Sequence, residues 1–156
     1  MPRAPAQVLV LPYRGAYSTF EVAVFRRRDY DLWQFVSGGV EEGELVADAA
    51  RREAWEEAGI ERTAALVRLD STTTIPACWF HAWSAWPTEV LVVPEHAFAV
   101  DVGDRVLRLS DEHSEFAWLQ PVAAMQRLRF DSNKNALWEL QERLAPGPRI
   151  KRPAYR

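Results

Sequence analysis

Three carboxylates stand close together in Arg52-Glu53-Ala54-Trp55-Glu56-Glu57-Ala58-Gly59-Ile60: Glu53, Glu56 and Glu57, at i, i+3 and i+4. On a helix these positions share one face. Like charges placed so repel each other, and a hard divalent cation removes that cost. Mg²⁺ binds oxygen ligands, usually a few carboxylates, several waters and a substrate phosphate. Just upstream lies a glycine-rich loop, Gly38-Gly39-Val40-Glu41-Glu42-Gly43-Glu44. A loop of this kind opening into a helix points backbone amides and a partial positive charge at an anion. Glu44, at the mouth of the loop, adds a further carboxylate if the loop folds back, and Arg52 is placed to hold one of these carboxylates by a bidentate pair. The expected chemistry is cation-assisted work on a phosphate group. A solvated acidic helix face would explain the glutamates alone, but not the glycine loop, Arg52 and Gly59 at these spacings.

The elements that must position these groups can be read from pattern. Residues Gln7 to Tyr13 contain the unbroken apolar run Val8-Leu9-Val10-Leu11, the mark of a buried strand. Gly15 marks a turn, Phe20 to Phe25 reads as a second strand closed by Arg26, Arg27 and Arg28, and Trp33 to Val36 is a short apolar stretch. An alanine-rich helix is expected from about Val46 to Ala58, ended by Gly59 as a C′ glycine. Further strands are expected over Leu66–Thr74, Cys78–Ala85, Glu89–Val93, Ala97–Val102 and Glu115–Leu119, some of them joining into one long hairpin. Pro121 suits the first position of a short helix to about Leu128. Asp131 or Ser132 is placed to cap a last helix, Asn133 to Leu144, with Ala136, Leu137, Leu140 and Leu144 as its apolar stripe. Strands and helices do not alternate regularly, so a mixed α/β sandwich fits better than a doubly wound sheet.

Composition sets the limits. A chain of 156 residues, 48% hydrophobic and 26% charged, is the size and make-up of one globular domain. The net charge of −3 argues against broad electrostatic binding of nucleic acid, which needs a basic surface. A polyphosphate substrate therefore needs cations gathered locally. One cysteine, Cys78, excludes an intrachain disulfide framework and a multi-cysteine zinc site. No apolar run is long enough for a signal sequence or a membrane span, so a cytoplasmic location and no membrane partner are expected. The proline-rich ends and the basic Arg149-Ile150-Lys151-Arg152 read as loose termini.

The loop and helix together resemble the Nudix box, G-x5-E-x7-R-E-U-x-E-E-x-G-U. Counting from Gly38, the residues Glu44, Arg52, Glu53, Glu56, Glu57, Gly59 and Ile60 all fall in place. Ala54 departs from the usual larger aliphatic residue, and Val36-Ser37 stands where many members have Pro-Gly. The resemblance implies a Nudix-type α/β/α sandwich with a mixed central sheet, a core over about residues 6–144, and a hydrolase that cleaves a diphosphate linked to another group with Mg²⁺ or Mn²⁺. It implies Glu53 and Glu57 as metal ligands, with Glu56 as an additional one. Metal ions acidify an attacking water and neutralise phosphate charge, and a positioned carboxylate takes the proton; which carboxylate is the base stays open.

A narrower resemblance, over Trp33 to Glu44 and from Glu112-His113 to Trp118-Leu119, is to the bacterial dihydroneopterin triphosphate pyrophosphatases, a branch of that family that also acts on dATP. Pro121 and Ser132-Asn133 extend the match. By this likeness Glu112 binds metal or activates water, Arg3 and Arg27 touch substrate phosphates (Arg28 being an alternative to Arg27), and Ser37, with Gly38, lies by the substrate. Trp79, Phe80, His81, Trp83 and Trp86 are available as an aromatic wall for a base or pterin ring. The expected reaction yields a monophosphate and pyrophosphate from a small-molecule phosphoanhydride, in a monomer or homodimer. Two other readings stay open: a general Nudix pyrophosphatase acting on dinucleoside polyphosphates or nucleotide sugars, and a catalytically silent nucleotide-binding module. Loss of a box glutamate would favour the silent module, and all three are present.

Overall fold

The structure is a computed structural model, and it describes residues 2–148. The basic tail at 149–152 and Pro153 lie outside the described residues. The elements run β1 (Arg3–Arg14), β2 (Glu21–Arg27), β3 (Trp33–Gln34), β4 (Val36–Glu41), α1 (Val46–Ala58), β5 (Leu66–Pro76), β6 (Val92–Asp101), β7 (His113–Leu119), α2 (Pro121–Arg127) and α3 (Asp131–Leu144). The seven strands make one mixed sheet. β1 is parallel to β6 and antiparallel to β2 and β4, and β5 pairs antiparallel with β6. β2 also pairs antiparallel with β3 and β7.

β1 explains the apolar run. Val8 and Val10 face one core, with Ala49, Ala50, Ala54 and Ala58 of α1. Leu9 and Leu11 face the other, with Ala124 of α2 and Ala136, Leu137 and Leu140 of α3. A strand buried on both faces needs apolar residues at every position rather than at alternate ones. The result is a three-layer sandwich, the mixed α/β sandwich of the sequence pattern in the α/β/α form that the resemblance implies. The alanines of α1 let the helix lie close on the sheet. Ala54, the departure from the box pattern, is fully packed in that core.

One edge of β1 is shared. β4 takes Gln7 to Val10, and β2 takes Tyr13 and Arg14. The two strands divide the edge between them, and the ends of β2, β4 and β7 near Arg27, Ser37 and His113 border a common cleft.

Three expectations are corrected. Cys78–Ala85 is not a strand: Ala77–Trp79 and His81–Ala85 are short 3-10 helices in the connection between β5 and β6. Their packing is tertiary, with Trp86 buried beside Ala77 and Val93 and donating its indole N–H to the Arg3 carbonyl at 2.7 Å. The segments Glu89–Val93 and Ala97–Val102 are not separate strands: Val92, Val93 and Ala97 to Asp101 all belong to the one strand β6, and Glu89 to Leu91 precede it. Pro94 does not break β6, because β1 joins that strand only from Glu95 onward and leaves the edge before it unpaired. Neither Asp131 nor Ser132 caps α3. Phe130 holds the N-cap position without a side-chain cap bond, and Asn133 instead accepts the Phe35 N–H at 2.8 Å.

Candidate active site

α1 delivers the carboxylates. Glu53 and Glu57, one turn apart, both turn inward, 9% and 3% exposed. Gly59 ends the helix in the left-handed conformation at φ 67°, its N–H and that of Ile60 closing on the carbonyls of Trp55 and Ala54. β4 lies directly over Glu53. A Cβ on Gly38 would meet the Glu53 carboxylate carbon at 2.0 Å, so only glycine leaves room for that side chain.

Burial, then the charges of Glu53 and Glu112, push the Glu57 carboxyl up to about 9, against a smaller opposing hydrogen bond from the Ser37 backbone. Burial likewise raises Glu53, with Arg52 opposing. Glu57 Oε2 is buried without a hydrogen-bond partner. Its neighbour His113, at 3.8 Å, is itself buried against Phe25 and lowered to about 4 by burial and by Arg27. An unpartnered carboxyl oxygen beside two more acids is a donor set that fits a hard divalent cation such as Mg²⁺ or Mn²⁺.

A cleft of about 550 Å³ opens over these groups. Glu53, Glu57, Glu112, Arg3, Arg27, Ser37 and Gly38 all line it. Glu112 projects from the turn before β7 and is exposed. Arg28 does not reach the cleft wall. It clamps the Glu112 turn instead: its N–H donates to the Glu112 carbonyl at 3.0 Å, and its guanidinium to the carbonyls of Asp111 at 3.0 Å and His113 at 3.3 Å. Arg27 is held against Asp29 by Nε at 2.8 Å and a second N–H at 2.5 Å. Arg3 lies over the Phe80 ring at 4.7 Å, its Nε buried and without a partner. Trp79, Phe80 and His81 form the facing wall, whereas Trp83 is exposed away from it and Trp86 is core.

Three sequence-nominated residues stand beside the cleft rather than in it. Arg52 grips both Glu44 oxygens at 2.9 Å, and also donates to Glu53 at 2.7 Å, Glu56 at 3.3 Å and the Gly39 carbonyl at 2.8 Å. Glu44 also accepts the Glu41 N–H at 2.9 Å, and the Arg52 bonds hold its carboxyl below the ordinary range. Both Glu44 oxygens are therefore committed to the loop. Glu56 is half exposed, on the outer side of the Arg52 cluster.

Gln7, Gln34, His113 and Glu95 were not singled out from sequence as site residues. Gln7 and Gln34 line the cleft, and Gln7 bonds Ser37 at 2.9 Å and Glu95 at 3.0 Å. Gln34 lies within the Trp33-to-Glu44 match, but no local motif marks Gln7 or Glu95; only the register that sets Gln7 beside Gly39 and Glu95 brings those two together.

Comparison with known proteins places the family and the fold. A family model described as the NUDIX domain matches residues 3–140. The dihydroneopterin triphosphate diphosphatase of Escherichia coli K12 is 33% identical over 138 residues, covering 86% of this chain and 91% of that protein. The solved structure of the E. coli dihydroneopterin triphosphate pyrophosphohydrolase superposes with a TM-score of 0.74 at 29% identity, covering 92% of this chain and 99% of that one. A Listeria monocytogenes chain assigned to the NUDIX hydrolases superposes at 0.82 with 39% identity, covering 90% and 94%.

Proposed function

The chain belongs to the Nudix hydrolase family, and on that footing we propose that it hydrolyses a pterin or nucleoside triphosphate, dihydroneopterin triphosphate or dATP, to a monophosphate and pyrophosphate. One observation carries the reading: the buried pair Glu53 and Glu57 faces Glu112 across a cleft that also holds Arg3, Arg27 and an aromatic wall. The name of the E. coli relative supports the choice of substrate. The active unit is one domain, with its core over about residues 6–144.

Glu53 and Glu57 would hold Mg²⁺ or Mn²⁺, while Glu56 is turned out to Arg52 and Glu112 is left free for the attacking water. When bound, such an ion polarises phosphoryl oxygens, neutralises charge and acidifies water. The chain's own groups do the rest. Arg27, oriented by Asp29, and Arg3, braced on Phe80, bind the phosphate oxygens. Arg52 fixes the Glu53 carboxylate and ties α1 to the loop through Glu44. Gly38 admits Glu53 beneath β4, and the Ser37 N–H steadies Glu57. Glu112, the exposed carboxylate, accepts the proton of the attacking water. Water adds at phosphorus, the α–β bridge breaks, and pyrophosphate departs with the bridging oxygen.

Product analysis on dihydroneopterin triphosphate, dATP and a dinucleoside polyphosphate tests this reading. Pyrophosphate and monophosphate from the first two are expected; a clear preference for the dinucleotide would overturn the substrate assignment. Absence of turnover on all of them, with binding retained, would mark a silent module.

A further inference from the structure

Glu95, on β6, is a buried carboxylate that the cleavage chemistry leaves unused. It is 5% exposed, and charged side chains are rarely buried without a charged partner. Its partners here are neutral: Gln7 Nε2 donates at 3.0 Å, with the hydroxyls of Ser132 and Ser37 beside it. Burial raises its carboxyl, and these three hydrogen bonds oppose that only in part. Glu95 also lines two small cavities. One, about 200 Å³, continues the cleft past Phe80 and Trp79, and the other, about 140 Å³, lies beyond it against Ser132 and Thr73.

The sheet sets its distance from the reacting centre. Gln7 pairs with Gly39 on β4 and with Glu95 on β6, so Glu95 stands two strand spacings from the strand that covers Glu53. Two spacings are roughly 9.5 Å. That is the reach of a nucleoside or pterin group from its α-phosphate, and aromatic side chains flank the path.

We propose that Glu95 is a specificity-determining residue: its carboxylate accepts hydrogen bonds from the adjacent ring N–H and amino group of a 2-amino-4-oxopyrimidine edge, the edge that pterins and guanine share. An ionised carboxylate only accepts. That edge offers it two parallel donors, a bidentate and charge-assisted pair. Adenine offers an amino group beside a bare ring nitrogen, whose lone pair would face a carboxylate oxygen and leave it unsatisfied. Glu95 therefore ranks the substrates of the triphosphate reading, on which this inference rests, and places pterin and guanine triphosphates above dATP.

The test is kcat/KM for pyrophosphate release from dihydroneopterin triphosphate, dGTP, dITP and dATP, with the wild type and Glu95→Gln. The wild type is expected to favour dGTP over dATP by about tenfold or more, and over dITP, which lacks the amino group, by about fivefold or more. Glu95→Gln is expected to erase the dGTP-to-dITP difference and to cut the dGTP-to-dATP ratio by about tenfold. Equal wild-type use of dGTP and dITP would overturn the proposal, and so would ratios that survive the substitution. Should Glu95→Gln fail to fold, the wild-type series alone decides. If no triphosphate is cleaved, the triphosphate reading fails separately, and calorimetric titration with dGMP, dIMP and dAMP still decides: tighter binding of dGMP supports the role of Glu95, and equal binding refutes it.

Discussion

Gly38→Ala should disable the enzyme while leaving it folded. The new Cβ would stand 2.0 Å from the Glu53 carboxylate carbon and 2.3 and 2.4 Å from its oxygens. Ordinary carbon–carbon contact begins near 3.4 Å, so the carboxylate must retreat by about 1.4 Å. Glu53 is boxed in by the core and by its 2.7 Å bond from Arg52, so the retreat breaks that bond or drives the carboxylate into the cleft. The obstructing atoms are the end of a side chain rather than backbone, so the cost to folding should stay within the roughly 1–3 kcal/mol of overpacking, a loss of several degrees in Tm that leaves the protein folded. A displacement of this size at a catalytic group costs about a hundredfold in rate. Steady-state pyrophosphate release, measured across an Mg²⁺ titration, should show kcat down by that factor and a higher Mg²⁺ requirement. A kcat and Mg²⁺ dependence within threefold of the wild type would refute the placing of Glu53 at the reacting centre.

Glu57→Gln should lower kcat about a hundredfold or more, yet raise Tm in the metal-free protein at pH 7–8. The folded carboxyl titrates at about 9 and the unfolded one near 4.5, so stability falls as pH rises between those values, and glutamine removes that loss; an unchanged Tm would count against the buried, unpaired state. Glu112→Gln should depress kcat with little change in KM or Mg²⁺ requirement, whereas a raised Mg²⁺ requirement would make Glu112 a ligand instead of a base. Arg28→Ala, which frees the Glu112 turn, should lower kcat in the same way, and the double variant should lose little more than Glu112→Gln alone; fully additive losses would separate the two residues. His113 titrates at about 4 folded against 6.5 unfolded, so stability should drop as pH falls through that window, and His113→Gln should flatten the drop in a Tm-against-pH series.

What could be read from the chain depended on whether a residue's partner lay close in sequence. Glu53, Glu57, Arg52 and Gly59 carry local spacing, and the helix they imply is α1 as found. The Val8-to-Leu11 run likewise announces a strand buried on both faces. Glu95 carries no such mark. It acquires meaning from Gln7, 88 residues away, through a register that no local pattern encodes. The aromatic stretch from Cys78 to Ala85 misleads for a related reason. Tryptophan and phenylalanine favour strands, but here Phe80 packs over Arg3 and Trp86 bonds the Arg3 carbonyl, contacts that fold the segment against the start of β1. Glu56 shows the same limit at short range. Helical spacing placed Glu56 with the inward glutamates, and only the packed structure turns it out to Arg52.

The most direct measurement is phosphorus NMR of dihydroneopterin triphosphate turnover, with Mg²⁺ present and then with excess chelator. Pyrophosphate and the monophosphate should appear together as first products with Mg²⁺, and neither should form once the cation is removed. Orthophosphate as the first product, or full turnover in chelator, would contradict cation-dependent cleavage of the α–β bridge at Glu53, Glu57 and Glu112.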